Sequence, residues 1–438
     1  MDKSDHLHNA PITAARGWLA LSPFILFLLL YVAVSVVIGD FYRMPIAVAI
    51  VLASAWALVT LRGRTLLERI EVFSRAAGHT NILYMIWVFV LAGAFAAVAK
   101  EIGAVEATVA MALRVFPPAM VVPMLFFAAC FISLSIGTSV GTVVALTPLA
   151  TEMASASAES VPFYVAVVLG GAFFGDNLSF ISDTTIAATR SQECDMADKF
   201  RANLWIAFPA AVITLLFYIG TGLDTHPAAM PSDSSWTLII PYIVVLGTAI
   251  ARINVTIVLG LGILAAVVLG VTNGFTLIDL AGSAGSGIDS MGDLIIITLL
   301  AAGMLGAIKA AGGIQFILQS LTSRVSGARG AQAVIAFLVA IVNLCTANNT
   351  VAIITVGGIS RDISRRYGIS PRRTASLLDT VSCIVQCLIP YGAQTLLATS
   401  LAGISPAAPF PYLYYPWALA LMVTLTILFR TPRKHCFY

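Results

Sequence analysis

Gly175-Asp176-Asn177-Leu178-Ser179-Phe180-Ile181-Ser182-Asp183-Thr184-Thr185 sets two carboxylates and five neutral polar side chains directly behind the apolar run 161–174. Charged groups at bilayer depth are expensive and persist where they line a protein-enclosed or watery site. Asp176, Asn177, Ser179, Ser182, Asp183, Thr184 and Thr185 offer hard oxygen donors for an alkali cation, or a carboxylate that trades a proton for one. That chemistry points to ion or solute transport. A second polar interruption, within 374–402, carries Asp379, Ser382, Gln386, Pro390, Tyr391, Gly392, Gln394 and Thr395. Pro390 and Gly392 account for a break there, and Gln394 and Thr395 add neutral oxygens.

Two further apolar segments, 119–157 and 331–360, are each split by small polar residues. Thr138 and Ser139, beside Gly137 and Thr142, mark one tip. Asn348, Asn349 and Thr350, beside Thr346, mark the other. Adjacent amides are costly in an apolar setting unless they are used, so the tips are candidate ligands meeting near mid-membrane. Structural readings stand beside these: small polar residues also mediate helix packing, and Asp183 suits a helix cap. Asp379, six residues after Arg373, would also fit a structural group near the inner surface.

The elements that must position these residues follow from composition. The 438 residues are 59% hydrophobic and 10% charged, with mean hydropathy +0.95. Soluble domains carry about 25% charged residues, so the chain reads as an all-α polytopic membrane protein, with no nucleic-acid partner expected. Lys3 and Arg16 precede the apolar run 18–38, which no small-x-small cleavage site follows, so the first span is expected to be retained. Further full spans are expected near 44–61, 81–98, 203–220, 236–251, 253–271, 292–309 and 412–429. The interrupted helices 161–188 and 374–402 bring the expected count to about ten spans.

Segments 119–157 and 331–360 are expected to be re-entrant hairpins with tips buried in protein. With cytoplasmic termini, that arrangement places 21 of 24 Lys and Arg inside, leaving out Arg43, Lys100 and Arg114. The halves also match. Residues 92–98 align with 302–308 and Ser133 with Asn343 at an offset of 210, and an offset of 203 pairs Asp176 with Asp379. Matching units running in opposite directions imply an inverted-topology repeat with substrate bound between them. The expected organisation is a tail and two peripheral helices (1–79), repeat 1 (80–220), two connecting helices (221–291), repeat 2 (292–430) and a cytoplasmic tail (431–438).

Other features read as structural. Arg361, Arg365, Arg366, Arg372 and Arg373 suit an inside-loop anchor touching anionic lipid. Glu193, Asp195 and Asp198 share a loop with Arg190, Lys199 and Arg201 and read as a solvated mixed-charge surface. The six cysteines form no CxxC pair, and the glycine-rich 282–292 lacks the context of a phosphate-binding loop.

The 175–185 motif resembles the NhaC-type sodium/proton antiporter family of the ion transporter superfamily, over roughly residues 80–430. The resemblance implies inverted repeats with re-entrant hairpins and interrupted helices. It also implies exchange of protons and sodium, in some relatives with an organic acid or amino acid as the moving solute. Asp176, Asn177, Ser179, Ser182, Asp183 and Thr184 are the positions carried over, with Asp176, Asn177 and Asp183 expected to hold transported sodium. Where the family pattern has proline after Ser179, this chain has Phe180. No cofactor is expected. Partners implied are sodium, protons and the lipid of a cell inner membrane, with a homodimer left open.

The leading expectation is therefore a secondary active transporter, not an enzyme, exchanging ions by alternating access. A sodium- or proton-coupled transporter of an amino acid or small organic acid is the alternative. An intramembrane aspartyl protease using Asp176 and Asp379 is more remote, because Gly-Ala-Phe-Phe-Gly-Asp lacks the Gly-x-Gly-Asp of such enzymes.

Overall fold

The computed structural model of the chain describes residues 13–38, 46–115, 117–157, 159–179, 182–222, 235–251, 253–322 and 327–429. Their regular structure is helical. Helices occupy all the expected spans, among them Ala14–Ile38, Thr80–Glu101, Met196–Gly222 and Tyr414–Phe429. Among the described residues, seven stretches are long and apolar enough to cross a membrane. Large apolar side chains such as Trp205, Leu216 and Phe217 stand exposed on the outside of Met196–Gly222. A water-soluble protein would bury such a belt, whereas lipid accepts it.

Four short helices among the described residues fall where loops were expected: Leu66–Ala77, Ala104–Val115, Leu277–Asp289 and Gly313–Thr322. Leu66–Ala77 and Leu277–Asp289 each open with a capping box, Thr65 with Glu68 and Thr276 with Asp279. In each box the threonine and the acid satisfy one another's free backbone N–H groups, which suffices to start a helix. The bond from the Thr65 N–H also holds the Glu68 carboxyl below its usual range. Leu66–Ala77 docks on Gly292–Ala310, where Gly303 and Gly306 leave room for Phe73 and Ala76.

The helices that build the site occur twice with the same boundaries. Ser139–Ala156 recurs as Asn349–Arg366, Val161–Leu178 as Pro371–Leu388, and Asp183–Gln192 as Ala393–Ala402, always 210 residues on. Their caps recur as well: Ser160 and Ser370 precede the second pair, and Glu193 and Gly403 end the third in left-handed conformations. The interrupted helices therefore keep the 210 offset instead of the 203 read from sequence. Asp176 matches Gln386, not Asp379.

Each half also contains a helix–turn–helix pair, Val121–Ile136 with Ser139–Ala156 and Gly327–Thr346 with Asn349–Arg366. The turn residues Gly137 (φ 76°) and Ala347 (φ 48°) are both left-handed. Glycine adopts this conformation freely, whereas alanine pays about 1–2 kcal/mol. Backbones approach closely behind the turns. A Cβ on Gly175 would lie 2.3 Å from Leu134 N and Ser133 Cβ. Ser133 Oγ donates to the Ala172 carbonyl at 2.5 Å, and Asn343 Nδ2 donates to the Ser382 carbonyl at 2.8 Å. Both partners of the second bond lie 210 residues beyond those of the first, so packing repeats along with the boundaries.

Candidate ion-binding site

The helix Val161–Leu178 stops because Ser179 turns extended (φ −66°, ψ 141°), and Ser182 then caps Asp183–Gln192. A helix end leaves carbonyls without N–H partners, and side chains take them up here. The Asp176 carbonyl accepts from Ser182 Oγ at 2.8 Å, and the Ser179 carbonyl accepts from Thr185 Oγ1 at 2.8 Å. Ser182 Oγ also bonds Thr184 Oγ1 at 3.0 Å. Ser179, Ser182 and Thr184 thus lie buried and hold the break in shape.

Asp176 is 5% exposed. Its Oδ2 accepts from Ser139 Oγ at 3.0 Å and, at a longer 3.5 Å, from Asn349 Nδ2. Ser139 and Asn349 are the first residues of the two equivalent return helices. Both turns therefore converge on one carboxylate. Gln394 Nε2 donates to Ser139 Oγ at 3.1 Å, and Gln386 Nε2 donates to Gln394 Oε1 at 3.0 Å and to the Ala347 carbonyl at 2.9 Å. Among the described residues no Lys or Arg pairs with Asp176. Two buried oxygens nearby in sequence, Gln386 Oε1 and Thr395 Oγ1, have no hydrogen-bond partner among the described residues. The result is a buried acid that accepts from neutral donors on both turns.

Asp379 is set differently. Its Oδ2 lies 2.5 Å from Lys199 Nζ, both side chains being at most 1% exposed. Lys199 also donates to the Asn177 carbonyl and to Thr185 Oγ1, each at 2.6 Å. Asn203 Nδ2 bridges the Asn177 carbonyl (3.0 Å), Asn177 Oδ1 (2.5 Å) and Asp379 Oδ2 (3.0 Å), and Thr380 Oγ1 reaches Asn177 Oδ1 at 3.3 Å. Ser382 bonds back to the Asp379 carbonyl at 2.9 Å.

The remaining expected residues scatter. Asn348 caps its helix by accepting from the Val351 N–H at 3.0 Å. Thr138 opens the first return helix without a side-chain cap bond. Asp183 is exposed and lines an open cleft of about 690 Å³ with Thr350, Arg190 and Arg361. Asp176, Asn177 and Asp183 are thus not brought together, since Asn177 faces the Asp379 group and Asp183 faces the cleft. Phe180 lies outside the described residues. A second cavity, of about 240 Å³, is bounded by His79, Lys309, Thr346, Asn348 and Tyr391.

Two sequence expectations are corrected. Lys199 belongs to no solvated surface: it is buried against Asp379. Arg373 is no loop anchor either, being 2% exposed with Nε on Gln332 Oε1 (3.0 Å) and Nη2 on Thr426 Oγ1 (2.9 Å). Lys199, Asn203 and Gln386 are the site residues that sequence reading missed or undervalued. A signal existed for the first two, because positions 199 and 203 are one helical turn apart and share a face at the mouth of an apolar helix.

A sequence model of the Na+/H+ antiporter family matches residues 18–223 and 228–431. The chain is similar to the Na(+)/H(+) antiporter NhaC of Alkalihalophilus pseudofirmus, with 27% identity over 296 residues, which cover 60% of this chain and 63% of that one. Similarity extends to the arginine/ornithine antiporter ArcD of Halobacterium salinarum, at 22% identity covering 69% of this chain and 70% of that one. The malate-2H(+)/Na(+)-lactate antiporter of Bacillus subtilis is 24% identical, over 64% of this chain and 66% of that one. The first and third matches therefore span slightly less than two thirds of those relatives.

Proposed function

Because the chain belongs to the Na+/H+ antiporter family, we propose that it exchanges sodium for protons across a cell inner membrane, with Asp176 carrying whichever ion is bound. The observation that carries this reading is the meeting of both turns on a buried carboxylate with no cationic partner among the described residues. Such a charge in a low-dielectric interior must be neutralised. A proton on Oδ2 does so, and so does a sodium ion held by Asp176, Ser139, Asn349 and Gln394. Occupancy by one excludes the other, so the two fluxes are coupled through a single acid without any other energy source.

In this reading 80–220 and 292–430 are two oppositely inserted repeats, flanked by 1–79, 221–291 and 431–438, and the termini are cytoplasmic. The helix–turn–helix pairs then enter from opposite faces without crossing, and irregular backbone at membrane depth is enclosed by protein as it must be. Movement of one unit against the other exposes Asp176 to each side in turn. The duplicated boundaries support this arrangement, because equivalent residues Ser139 and Asn349 reach Asp176 from the two units. The test is sodium-driven proton movement in proteoliposomes, with lithium and potassium as comparison ions. Asp176→Asn is expected to abolish it, and full retained exchange refutes the assignment.

A second reading, coupled transport of an amino acid or small organic acid, is favoured by the 240 Å³ cavity beside Thr346 and Asn348. That space exceeds what a bare cation requires, and Lys309 and His79 on its lining suit a carboxylate. Relatives named for arginine/ornithine and for malate and lactate exchange accord with it. Saturable uptake of a labelled acid under a sodium gradient, lost in Lys309→Gln, would support this reading. Absence of flux across a panel of such acids would dismiss it.

A further inference from the structure

The Lys199 ammonium has three N–H donors, and all three are used: on Asp379 Oδ2 at 2.5 Å, on the Asn177 carbonyl at 2.6 Å and on Thr185 Oγ1 at 2.6 Å. These acceptors are a carboxylate, a carbonyl freed where a helix ends, and a hydroxyl. They are the donor types that hard metal cations select, and a cation of calcium's size takes oxygens at roughly 2.3–2.6 Å. Rotation of the Asn203 amide, now donating to Asp379 Oδ2 at 3.0 Å, would turn a fourth oxygen toward the same point. The group is sealed from solvent, since Lys199, Asn177, Thr185, Asn203 and Asp379 are all buried.

We propose that Lys199 is a built-in cation, filling a second oxygen cage that would otherwise take a sodium ion and so confining ion exchange to Asp176. The inference rests on the sodium/proton reading above and deepens it by assigning the number of mobile ions. Asn177 follows Asp176 directly in the chain, and Ser182 joins the two groups through the Asp176 carbonyl and Thr185 Oγ1, the latter at 3.0 Å. A mobile ion in this cage would therefore sit in the same hydrogen-bonded frame as the exchange site. A tethered ammonium cancels the Asp379 charge in every step of the cycle and adds no ion to the stoichiometry. Lys199 acts as a positioning residue: it fixes the broken helix end and sets how many sodium ions the protein can hold.

The test compares the full-length parent, Lys199→Met, and Lys199→Met combined with Asp379→Asn. Each is purified and titrated with sodium chloride against choline chloride at constant ionic strength. Tm is read in detergent, and sodium-dependent proton flux is read in proteoliposomes. In Lys199→Met the emptied cage is expected to take sodium. Tm then gains a sodium-dependent rise beyond the parent's, and the Hill coefficient for sodium moves from about one to about two. Both gains are expected to vanish in the double variant, which lacks the carboxylate charge. A Lys199→Met protein that can be isolated only in high sodium also supports the proposal. The proposal is overturned if Lys199→Met matches the parent in both readouts, if the double variant shows the same gains, or if Lys199→Met fails to fold at any sodium concentration while the double variant folds. A parent without any sodium/proton exchange would sink the function proposed above, while the Tm titration would still report on the cage.

Discussion

Asp379 meets a lysine, and Asp176 meets a hydroxyl and an amide. Both acids are buried in the same bundle, at most 5% exposed; Asp176 lies in the last turn of Val161–Leu178, and Asn203 bridges Asp379 to Asn177 in that turn. Around Asp379 the compensating charge is part of the polypeptide: Lys199 and Asn203 both donate to its Oδ2, and Lys199 also donates to the Asn177 carbonyl and Thr185 Oγ1. Around Asp176 the donors are neutral and come from both turns, and Gln386 Oε1 and Thr395 Oγ1 remain buried without partners among the described residues. The difference separates two ways of using an intramembrane acid. In the proposed reading, the permanently paired acid holds helices in register, whereas the other requires an ion from outside and can therefore move ions.

The largest effect expected from this contrast is on stability. Lys199→Ala in sodium-free medium leaves Asp379 buried without a partner, and loss of one member of a buried pair costs about 3–5 kcal/mol. Chemical or thermal unfolding of the purified protein measures it. A loss below about 1 kcal/mol, the scale of an exposed pair, would break the distinction between the two acids.

Ser139→Ala and Asn349→Ala sharpen the other side of the comparison. Each removes one neutral donor from Asp176 and should weaken sodium dependence by about tenfold, since hydrogen bonds to charged groups are worth about 1.5–3 kcal/mol. Transport against sodium concentration reads the effect as a raised KM with the fold intact. The 3.5 Å bond of Asn349 makes its variant the milder of the two. An unchanged KM in both would separate the turns from the ion site.

The smallest effect concerns the turns themselves. Ala347 holds the left-handed conformation that Gly137 holds in the equivalent turn. Ala347→Gly should relieve about 1 kcal/mol of strain, raising Tm slightly. A fall in Tm would show that the Ala347 methyl does packing work that its counterpart lacks.

Much of this arrangement was legible from residue types. Polar runs inside apolar segments marked both breaks and both turns, because lipid tolerates such groups only when protein encloses them. Asp176, Ser139, Asn349 and Gln394 were all identified, and they meet. Local charge composition misled elsewhere. Lys199 sits among Asp195, Asp198 and Arg201, which look like a wet surface, and only the three-dimensional course of Met196–Gly222 turns it onto Asp379. Asp183 shared the motif with Asp176, yet a helix start at Ser182 turns it into the open cleft. The 203 register paired the two acids because like residues attract an alignment. The helix boundaries instead pair Asp176 with Gln386, a neutral amide in the same network. The two short capped helices were hidden because their length and polarity resemble loops, although Thr65–Glu68 and Thr276–Asp279 carried the signature of a helix start.

The central claim is that sodium and a proton compete for Asp176. Proton release can be followed with a pH indicator as sodium is added to weakly buffered, purified protein at a pH where the carboxyl is protonated. The parent is expected to release about one proton per sodium bound, and Asp176→Asn none. Undiminished release from folded Asp176→Asn would place the competing acid elsewhere and contradict the account.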